Sequence, residues 1–235
     1  MGSSYLPQLN ARLLKSYCNA ALCNARELFV EASLLQEHCH YARAYFLAIS
    51  CVEETGKALL AFDAQNKQLS DPAVCTKIRK SFESHRDKIY YAIIIWAFSS
   101  SNPRQALLNT IALTGGLQRG REPSLYCDLY ADPDRAKTPS DIVSASAAGN
   151  CVRMAKDCLD YAQSHVIHKE PANFSKAQKY LFKRKSAYFE KILESPDFHE
   201  YCLNQPVRDM PNVVDMIFDY DRKHIKTGIP FLGKS

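Results

Sequence analysis

The sequence predicts an all-α protein, an antiparallel helical bundle, on three observations. Hydrophobic residues make up 46% of the 235 residues, which is enough apolar side chain for a sizeable core. Glycine is scarce at 8 residues, or about 3% against roughly 7% in an average protein, so folds with many tight glycine turns are disfavoured. Helix-start signals recur along the chain and short turns separate them, which places consecutive helices side by side.

Five long helices are predicted before residue 168. The first two are rich in alanine, leucine, arginine and glutamate, and a turn at His38-Cys39-His40 joins them. Asp71-Pro72 and Asn102-Pro103 each place an N-cap residue before a proline at the first helical position, so each begins a helix. Gly115-Gly116 is predicted to end the fourth helix, and the capping box Thr138-Pro139-Ser140-Asp141 to begin the fifth. The predicted spans are about residues 9–37, 41–69, 71–98, 102–115 and 138–165.

Two regions depart from this helical pattern. Residues 117–137 contain Gly120, Pro123 and Pro133, so they are predicted to form a short irregular or hairpin insertion with an extended piece at 125–130. Residues 169–235 are predicted to form a basic helical C-terminal extension, with helices near 175–194 and 213–224. The predicted domain division is therefore a bundle at 1–168 and an extension at 169–235.

Composition and missing motifs exclude several classes of protein. The chain has no G-x-x-x-x-G-K-[ST] phosphate loop, no G-x-G-x-x-G fingerprint and no G-x-S-x-G elbow, which disfavours ATPases, dinucleotide oxidoreductases and α/β-hydrolases. The net charge of +5 permits an anionic partner without requiring one. Nine cysteines without a C-x-x-C pair indicate free thiols in a reducing cytoplasm rather than disulfides or a zinc site.

No association with a membrane is expected from the sequence. The N-terminus lacks the basic-then-apolar pattern of a signal peptide. The longest apolar run, Tyr90 to Phe98, is much shorter than the roughly 20 residues that cross a bilayer.

One predicted helix carries a histidine on its apolar stripe. Ile78, Phe82, Ile89, Ala92 and Trp96 follow the spacing of a core-facing helix surface, and the position missing from that series is His85. Arg79 and Lys88 lie on the two flanks of this stripe. A histidine in the middle of a core-facing stripe is either a hydrogen-bonded core residue or part of a functional cleft.

The preceding helix carries a carboxylate near the centre of its apolar face. Helical-wheel geometry places Glu53 there, whereas Glu54 and Lys57 point further outward. Because an unpartnered buried carboxylate or imidazole costs a few kcal/mol, Glu53 and His85 are expected to meet or to line one cleft. The alternative is that residues 53–57 form an ordinary ion-pair run on a helix surface.

Two further sequence patterns bear on metal binding and on RNA binding. A metal site is not expected, because no pair of Glu-x-x-His motifs lies on facing helices and the i,i+3 pair His165 and His168 lacks acidic companions at helical spacing. The basic helix after residue 169 interleaves cations with aromatic residues, which favours nucleic-acid binding; a merely solvated amphipathic helix is the alternative. The candidate RNA-binding residues are Lys176, Lys179, Lys183 and Arg184.

Several ordered segments between about residues 20 and 168 resemble the AbiV-type abortive infection proteins, a family of the wider HEPN group of helical bundles. The segments that carry the resemblance are Ala25–Leu35, Tyr41–Ala44, Val52-Glu53-Glu54-Thr55-Gly56-Lys57, Ser84-His85-Arg86-Asp87-Lys88, Leu125–Asp128 and Thr138–Ile142. The resemblance implies an HEPN-like bundle and an antiphage toxin that arrests growth or translation in infected cells. It implies no cofactor. RNA and a phage-encoded activator protein are the candidate partners, and a homodimer is the implied assembly.

The resemblance also implies a site, because many HEPN proteins are metal-independent endoribonucleases with an arginine four to six residues before a histidine. Arg79 and His85 are separated by five residues, and Glu53 or Glu54 corresponds to the acid on the preceding helix. Under this hypothesis His85 is the general base or acid at the ribose 2′-hydroxyl, Arg79 and Lys88 stabilise the charge on phosphate, and Glu53 orients His85. The candidate catalytic residues are His85, Arg79, Glu53, Glu54, Lys57 and Lys88.

A non-catalytic interaction module remains the alternative hypothesis. In that case Glu53, Lys57, His85 and Lys88 form a buried polar network that fixes the helix register, and the protein acts by binding a host or phage protein. The geometry of a regular helix leaves this alternative open, because residues six positions apart, such as Arg79 and His85, point about 120° away from each other. An irregular helix or a second copy across a two-fold axis would bring the pair together.

Overall fold

The computed structural model describes residues 8–99, 103–127, 136–171, 195–204 and 213–231, together with positions 176, 177, 180, 184, 188, 191 and 192. These residues form helices and no β-strand, so the all-α bundle predicted from the sequence is confirmed. The helices are α1 (Ala11–Glu37), α2 (Tyr41–Ala64), α3 (Pro72–Glu83), α4 (His85–Ser99), α5 (Pro103–Arg121), α6 (Pro139–Ile142), α7 (Ala145–His168), α8 (Pro196–Leu203) and α9 (Val213–Tyr220). A π-helical turn, Asp221–Ile225, follows α9.

The first two helices form the antiparallel pair that the sequence predicts. The side chain of Asn10 caps α1 by accepting a hydrogen bond from the Leu13 N–H at 2.9 Å. Cys39 sits in the predicted turn with φ 62°, a left-handed conformation that reverses the chain within three residues. Alanines along both helices are fully buried, so the two backbones pack closely over most of their length.

The predicted third helix is broken at Ser84, so α3 and α4 are separate helices. Ser84 has an extended backbone, and its hydroxyl accepts a hydrogen bond from the Asp87 N–H at 3.1 Å, which caps the start of α4. Asp87 in the first turn also complements the helix dipole. The prediction that His85 lies in the middle of a core-facing stripe was therefore wrong: it is the first residue of α4.

The break at Ser84 sets the direction of α4. Residues of α2 meet residues of α4 in increasing order, Glu53 with His85, Gly56 with Lys88 and Asp63 with Tyr91. Helices α2 and α4 therefore run in the same direction, and α3 is the return segment between them. Helix α5 then runs back along α4 and ends beside the middle of α2, where Arg121 contacts Glu53.

Helix α5 is longer than predicted, because Gly115-Gly116 lies inside it and does not end it. The helix continues to Arg121 through Gly120, which faces α2. A Cβ atom at Gly120 would lie 2.7 Å from the Tyr45 hydroxyl oxygen, so a larger residue would require the Tyr45 side chain to move. The described part of the insertion, residues 122–127, contains turns and no strand; positions 128–130 of the predicted extended piece lie outside the described residues.

The capping box at Thr138 is present but begins only one turn of helix. The Asp141 carboxylate accepts a hydrogen bond from the Thr138 N–H at 2.9 Å, and α6 ends at Ile142. A second cap at Ser144, whose hydroxyl accepts from the Ala147 N–H at 3.1 Å, begins α7. The fifth long helix therefore starts a few residues later than predicted and runs to His168.

The buried side chains fall into two main clusters. The larger joins α1, α2, α3, α4, α5 and α7, with Ile49, Leu59 and Ile93 among its most buried members. A smaller cluster lies in the C-terminal extension and includes Ile192, Met216 and Tyr220. Most of the predicted helix at 175–194 lies outside the described residues, and the division at residue 168 stays a prediction. Over the part of the chain that the structure describes, each helix is too short or too polar to cross a membrane.

Candidate functional site

The site is built around Glu53, in the middle of α2. Its side chain is only 8% exposed, and the two residues before it, Cys51 and Val52, pack into the larger core. Three residues further on, Gly56 faces the backbone of α4: a Cβ atom there would lie 1.9 Å from the Lys88 carbonyl oxygen. The absence of a side chain at Gly56 therefore lets α4 approach α2 closely enough for its first turn to reach Glu53.

His85 contacts Glu53 directly. Its Nδ1 atom lies 2.6 Å from Glu53 Oε2, the distance of a strong, charge-assisted hydrogen bond. Because an ionised carboxylate can only accept, Nδ1 is the protonated nitrogen of this pair, and Nε2 keeps its lone pair when the ring is neutral. The imidazole is 49% exposed, so the ring joins a buried acid to the molecular surface.

Two fixed cations share the Glu53 carboxylate with His85. Lys88 Nζ lies 3.5 Å from Oε2 and Arg121 Nε lies 3.2 Å from Oε1. The Lys88 side chain is buried, and the Arg121 guanidinium lies over the Phe46 ring, 5.3 Å from its centroid. The outer end of Arg121 also contacts the exposed carboxylate of Glu122. These cations offset the cost of burying Glu53 and tie α4 and α5 to α2.

Arg121 is the member of the site that the sequence analysis missed. The predicted end of the fourth helix at Gly115-Gly116 placed Arg121 in an irregular segment, away from any helix face. Gly120 and the two arginines beside it, Arg119 and Arg121, were the signal that could have found it, since cations are typical of the last turn of a helix. Similarly, Ser84 and Asp87 match an N-terminal capping pattern that indicates the helix start at His85.

Glu54 and Lys57 are not among the residues that contact the Glu53 carboxylate. Their side chains pair with each other, and each is 18% exposed. The phenol of Tyr17 on α1 lies close to both, and its burial raises its pKa. Arg79 lies on α3, half-buried and on the other side of the Ser84 break from His85. The contacts that define the site thus join Glu53 with His85, Lys88 and Arg121.

A second polar cluster lies further along α2. The Tyr91 hydroxyl donates a hydrogen bond to the carboxylate of Asp63. Burial raises the pKa of Asp63 to about 6, although the positive charges of Lys67 and Lys169 act against this. Burial also lowers the pKa of Lys67, with Asp63 opposing the shift. His165 packs against the ring of Phe62, and its pKa is lowered mainly by burial and further by Lys169.

The candidate metal and RNA-binding residues are only partly described. Within the described ranges, no three histidine, cysteine, aspartate or glutamate side chains are grouped as a metal site requires. Lys176 and Arg184 are exposed, whereas Lys179 and Lys183 lie outside the described residues. The Arg184 guanidinium stacks over the rings of Tyr180 and Tyr188, at 4.9 and 5.2 Å from their centroids.

Comparison with known proteins identifies the family. The family model HEPN_AbiV, described as AbiV, matches residues 13–160, which is more than half of the chain and contains every residue of the Glu53 site. A search of curated proteins and a search of solved structures each found no match. The match covers α1 to α5 and most of α7, the helices that form and support the site. The chain therefore belongs to the AbiV family of HEPN abortive-infection proteins.

Proposed function

We propose that the protein is an antiphage abortive-infection effector that cleaves RNA without a metal ion, with His85 as its catalytic residue. The observation that carries this proposal is the 2.6 Å contact between a half-exposed imidazole and a buried carboxylate. A histidine whose inner nitrogen is held by an acid and whose outer nitrogen is accessible is suited to proton transfer at a bound substrate.

The proposed reaction needs a base, a positioned phosphate and a proton donor. Nε2 of His85 takes the proton from a ribose 2′-hydroxyl, and the 2′-oxygen attacks the adjacent phosphorus. The bond from phosphorus to the 5′-oxygen breaks, which leaves a 2′,3′-cyclic phosphate, and the departing 5′-oxygen takes up a proton. No metal ion is required to generate the nucleophile, because the attacking hydroxyl belongs to the substrate.

The surrounding residues have different parts in this proposal. Glu53 is a positioning residue that fixes the tautomer of His85 and stabilises the imidazolium as it forms. Lys88 is buried against Glu53, so its contribution is to pair with that carboxylate rather than to touch phosphate. Arg79 remains the proposed phosphate-stabilising cation, supplied to a neighbouring site in the dimer. Glu54 and Lys57 are proposed to support the helix surface beside the site.

A two-fold dimer completes the proposed chemistry. The second copy brings another His85, whose protonated form supplies the proton that the 5′-oxygen requires. Activity of this kind in an uninfected cell would be harmful, so we propose that a phage-encoded protein activates the effector in the cytoplasm. RNA cleavage then arrests translation and growth of the infected cell. Sequencing of RNA ends with and without phage infection would show discrete cuts only in infected cells.

A non-catalytic interaction module is the second candidate function. The contacts of Glu53 with Lys88 and Arg121, both poorly exposed, favour it, because a buried network of this kind can fix helix register without any chemistry. In this case the protein acts by binding a host or phage protein, and His85 contributes only to stability.

The two functions are separated by cleavage assays in EDTA on protein that is purified from phage-infected cells, so that the proposed activator has acted. Wild type, His85→Ala and the control His168→Ala, which changes an exposed histidine at the end of α7, are incubated with cellular RNA and analysed on gels. The enzyme hypothesis predicts cleavage by wild type and the control and none by His85→Ala with an unchanged melting temperature. Equal cleavage by wild type and His85→Ala would reject it. Intact RNA in every reaction, with a lowered melting temperature for His85→Ala, would favour the interaction module.

A further inference from the structure

The C-terminal extension contains a cluster of three aromatic rings under three cations. Tyr180 and Phe218 meet edge to face with centroids 5.2 Å apart, and the Tyr188 hydroxyl donates a hydrogen bond to Asp221. Tyr180 and Tyr188 come from the segment before α8, whereas Phe218 belongs to α9. Two parts of the extension that are distant in sequence therefore build one aromatic base.

Each ring carries a cation. The Arg184 guanidinium lies over Tyr180 and Tyr188, Lys226 Nζ lies 4.5 Å from the Tyr180 centroid, and the Arg222 guanidinium lies 5.6 Å from the Phe218 centroid. All three cationic side chains are exposed. The rings hold these long side chains in place, so less conformational entropy is lost when the cations bind an anion.

Asp221 holds this arrangement together from below. It is fully buried at the start of the π-helical turn, and one of its oxygens accepts the Tyr188 hydroxyl. Its other oxygen, Oδ2, is buried without a hydrogen-bond partner among the described residues. The Asp221 charge offsets one of the three cations, so the patch retains about two net positive charges at its surface.

The chemistry of the patch matches single-stranded nucleic acid. The cations can contact successive phosphates, and the exposed outer face of a stacked guanidinium is a platform for an unpaired base. The extension also contacts the bundle on the helix that leads to the candidate site. Lys77 on α3 donates a hydrogen bond from Nζ to the Arg184 carbonyl oxygen at 3.4 Å. Helix α3 ends at Glu83, two residues before His85.

We propose that Arg184, Arg222 and Lys226, stacked on Tyr180, Tyr188 and Phe218, form a surface that binds single-stranded RNA and holds it for cleavage at His85. This inference rests on the proposed function only in its choice of RNA as ligand, and binding is measured separately from cleavage. Arg222 and Lys226 lie outside the predicted basic helix, so the folded extension adds them to the RNA-binding residues expected from sequence.

Fluorescence anisotropy of a labelled single-stranded RNA of about 20 nucleotides tests the surface, with full-length His85→Ala protein as the starting variant so that the probe stays intact. Replacing Arg184, Arg222 and Lys226 with alanine is expected to weaken binding about 10- to 100-fold and to reduce the slope of log affinity against log salt by about 2. A charge-matched control replaces the exposed Arg12, Lys15 and Arg153 of α1 and α7, and it is expected to weaken binding less than about threefold.

A conservative variant separates stacking from charge. Arg184→Lys keeps the positive charge but loses the planar group that stacks on a base, so it is expected to weaken RNA binding by about threefold to tenfold. Melting curves verify that each variant is folded, and the exposed positions make this single substitution a safe test if the triple variant is unstable.

Each outcome supports or overturns the inference. Equal affinity of the triple variant and the charge-matched control would overturn it, as would displacement of the RNA by polyglutamate as readily as by unlabelled RNA, which would indicate an acidic protein partner. If the surface variants weaken binding but wild type purified from phage-infected cells leaves RNA intact in EDTA, the surface stands and the proposed enzymatic function fails. If wild type cleaves RNA but the variants bind normally, only this inference fails.

Discussion

The carboxylate of Glu53 is compensated by side chains of two other helices, and this makes it the residue on which the site depends. Lys88 and His85 reach it from α4 and Arg121 from α5. A buried acid with several partners cannot be replaced without stranding those partners. Glu54, its neighbour in sequence, is more exposed and pairs with Lys57 of the same helix.

Glu53→Gln is therefore expected to destabilise the fold far more than Glu54→Gln. Loss of the buried charge leaves Lys88 and Arg121 without their common counter-ion, which costs about 3–5 kcal/mol, whereas loss of the Glu54 pair costs about 1 kcal/mol or less. Urea unfolding of both variants measures the two values. Similar losses in the two variants would contradict the assignment of Glu53 as the central ion of the site.

Protonation of Asp63 makes the free energy of unfolding depend on pH between about 4 and 6. Its pKa is raised to about 6 in the folded protein from an ordinary value of 3.8, mainly by burial. The folded state therefore binds the proton more tightly than the unfolded state. The stability that Asp63 contributes is fully present below pH 4 and is lost as pH rises through 6.

Asp63→Asn removes this dependence while keeping an acceptor for the Tyr91 hydroxyl. Relative to wild type, the variant is expected to gain on the order of 1–2 kcal/mol between pH 4 and pH 8. Unfolding measured at both pH values gives this difference. Asp160→Asn, on an exposed part of α7, is the control and should show no such change. A wild type that loses no stability relative to Asp63→Asn over this range would contradict the raised pKa.

At the scale of the elements, the approach of α4 to α2 depends on Gly56. A methyl group at this position would lie 1.9 Å from the Lys88 carbonyl oxygen, and because that oxygen is backbone, the whole helix must move. Gly116 provides the matched control, since a Cβ atom there meets nothing within 4 Å. Both glycines lie inside helices, so alanine is favoured by propensity at each.

Gly56→Ala is expected to destabilise the protein by about 1–3 kcal/mol or more, whereas Gly116→Ala is expected to stabilise it by about 0.5–1 kcal/mol. Thermal melts show whether each substitution lowers or raises Tm, which changes by roughly 2–4 °C for each kcal/mol in a chain of this size. Because α4 carries His85, Gly56→Ala should also reduce activity in the fraction that stays folded. A neutral or stabilising Gly56→Ala would contradict the close packing of α2 and α4.

Local signals in the sequence predict the helices well and their boundaries less well. The caps at Asp71 and Thr138 and the turn at Cys39 are present, because each depends on a few neighbouring residues. Three boundaries were wrong. The break at Ser84 and the second start at Ser144 each have a local cap, which the longer predicted helices passed over. The passage of α5 through Gly115-Gly116 is decided by packing against other helices as much as by local preference.

In the candidate site, too, the sequence predicts some features and misses others. Hydrophobic periodicity identifies Glu53 and His85 as polar residues in an apolar setting, and the structure brings them into contact. Periodicity cannot show that His85 lies at a helix start and half exposed, nor that Arg121 returns to Glu53 from almost 70 positions further along the chain. The catalytic roles of His85 and Glu53, like those of Arg79, Glu54, Lys57 and Lys88, stay a prediction.

At the scale of the whole molecule, the proposed dimer requires a histidine from each copy. Wild type and His85→Ala chains that are mixed in equal amounts and allowed to exchange form dimers at random. If both histidines are needed, activity falls to about a quarter of that of the same total amount of wild type, because only a quarter of the dimers carry two. Independent sites would retain about half. A solution mass equal to the 26.6 kDa chain would contradict a dimer altogether.

The two described clusters of buried side chains support different proposed sites. The larger cluster supports the Glu53 site, and the smaller cluster supports the cation surface of the extension. Leu203 of α8 packs against Ile94 and Ala97 of α4, so the extension also contacts the helix that begins with His85. The proposed RNA-binding residues and the proposed catalytic residue thus lie in different parts of the chain.

The chemistry of the RNA ends is the most direct test of the account. Wild-type protein purified from phage-infected cells is incubated in EDTA with a defined single-stranded RNA and with its 2′-O-methyl counterpart, and the product ends are identified by mass spectrometry. The proposed reaction predicts 2′,3′-cyclic phosphate and 5′-hydroxyl ends from the RNA, none from the 2′-O-methyl strand, and none with folded His85→Ala protein. Ends that carry a 5′-phosphate and a free 3′-hydroxyl, or the same cyclic ends from His85→Ala, would contradict a reaction that begins with proton transfer to His85.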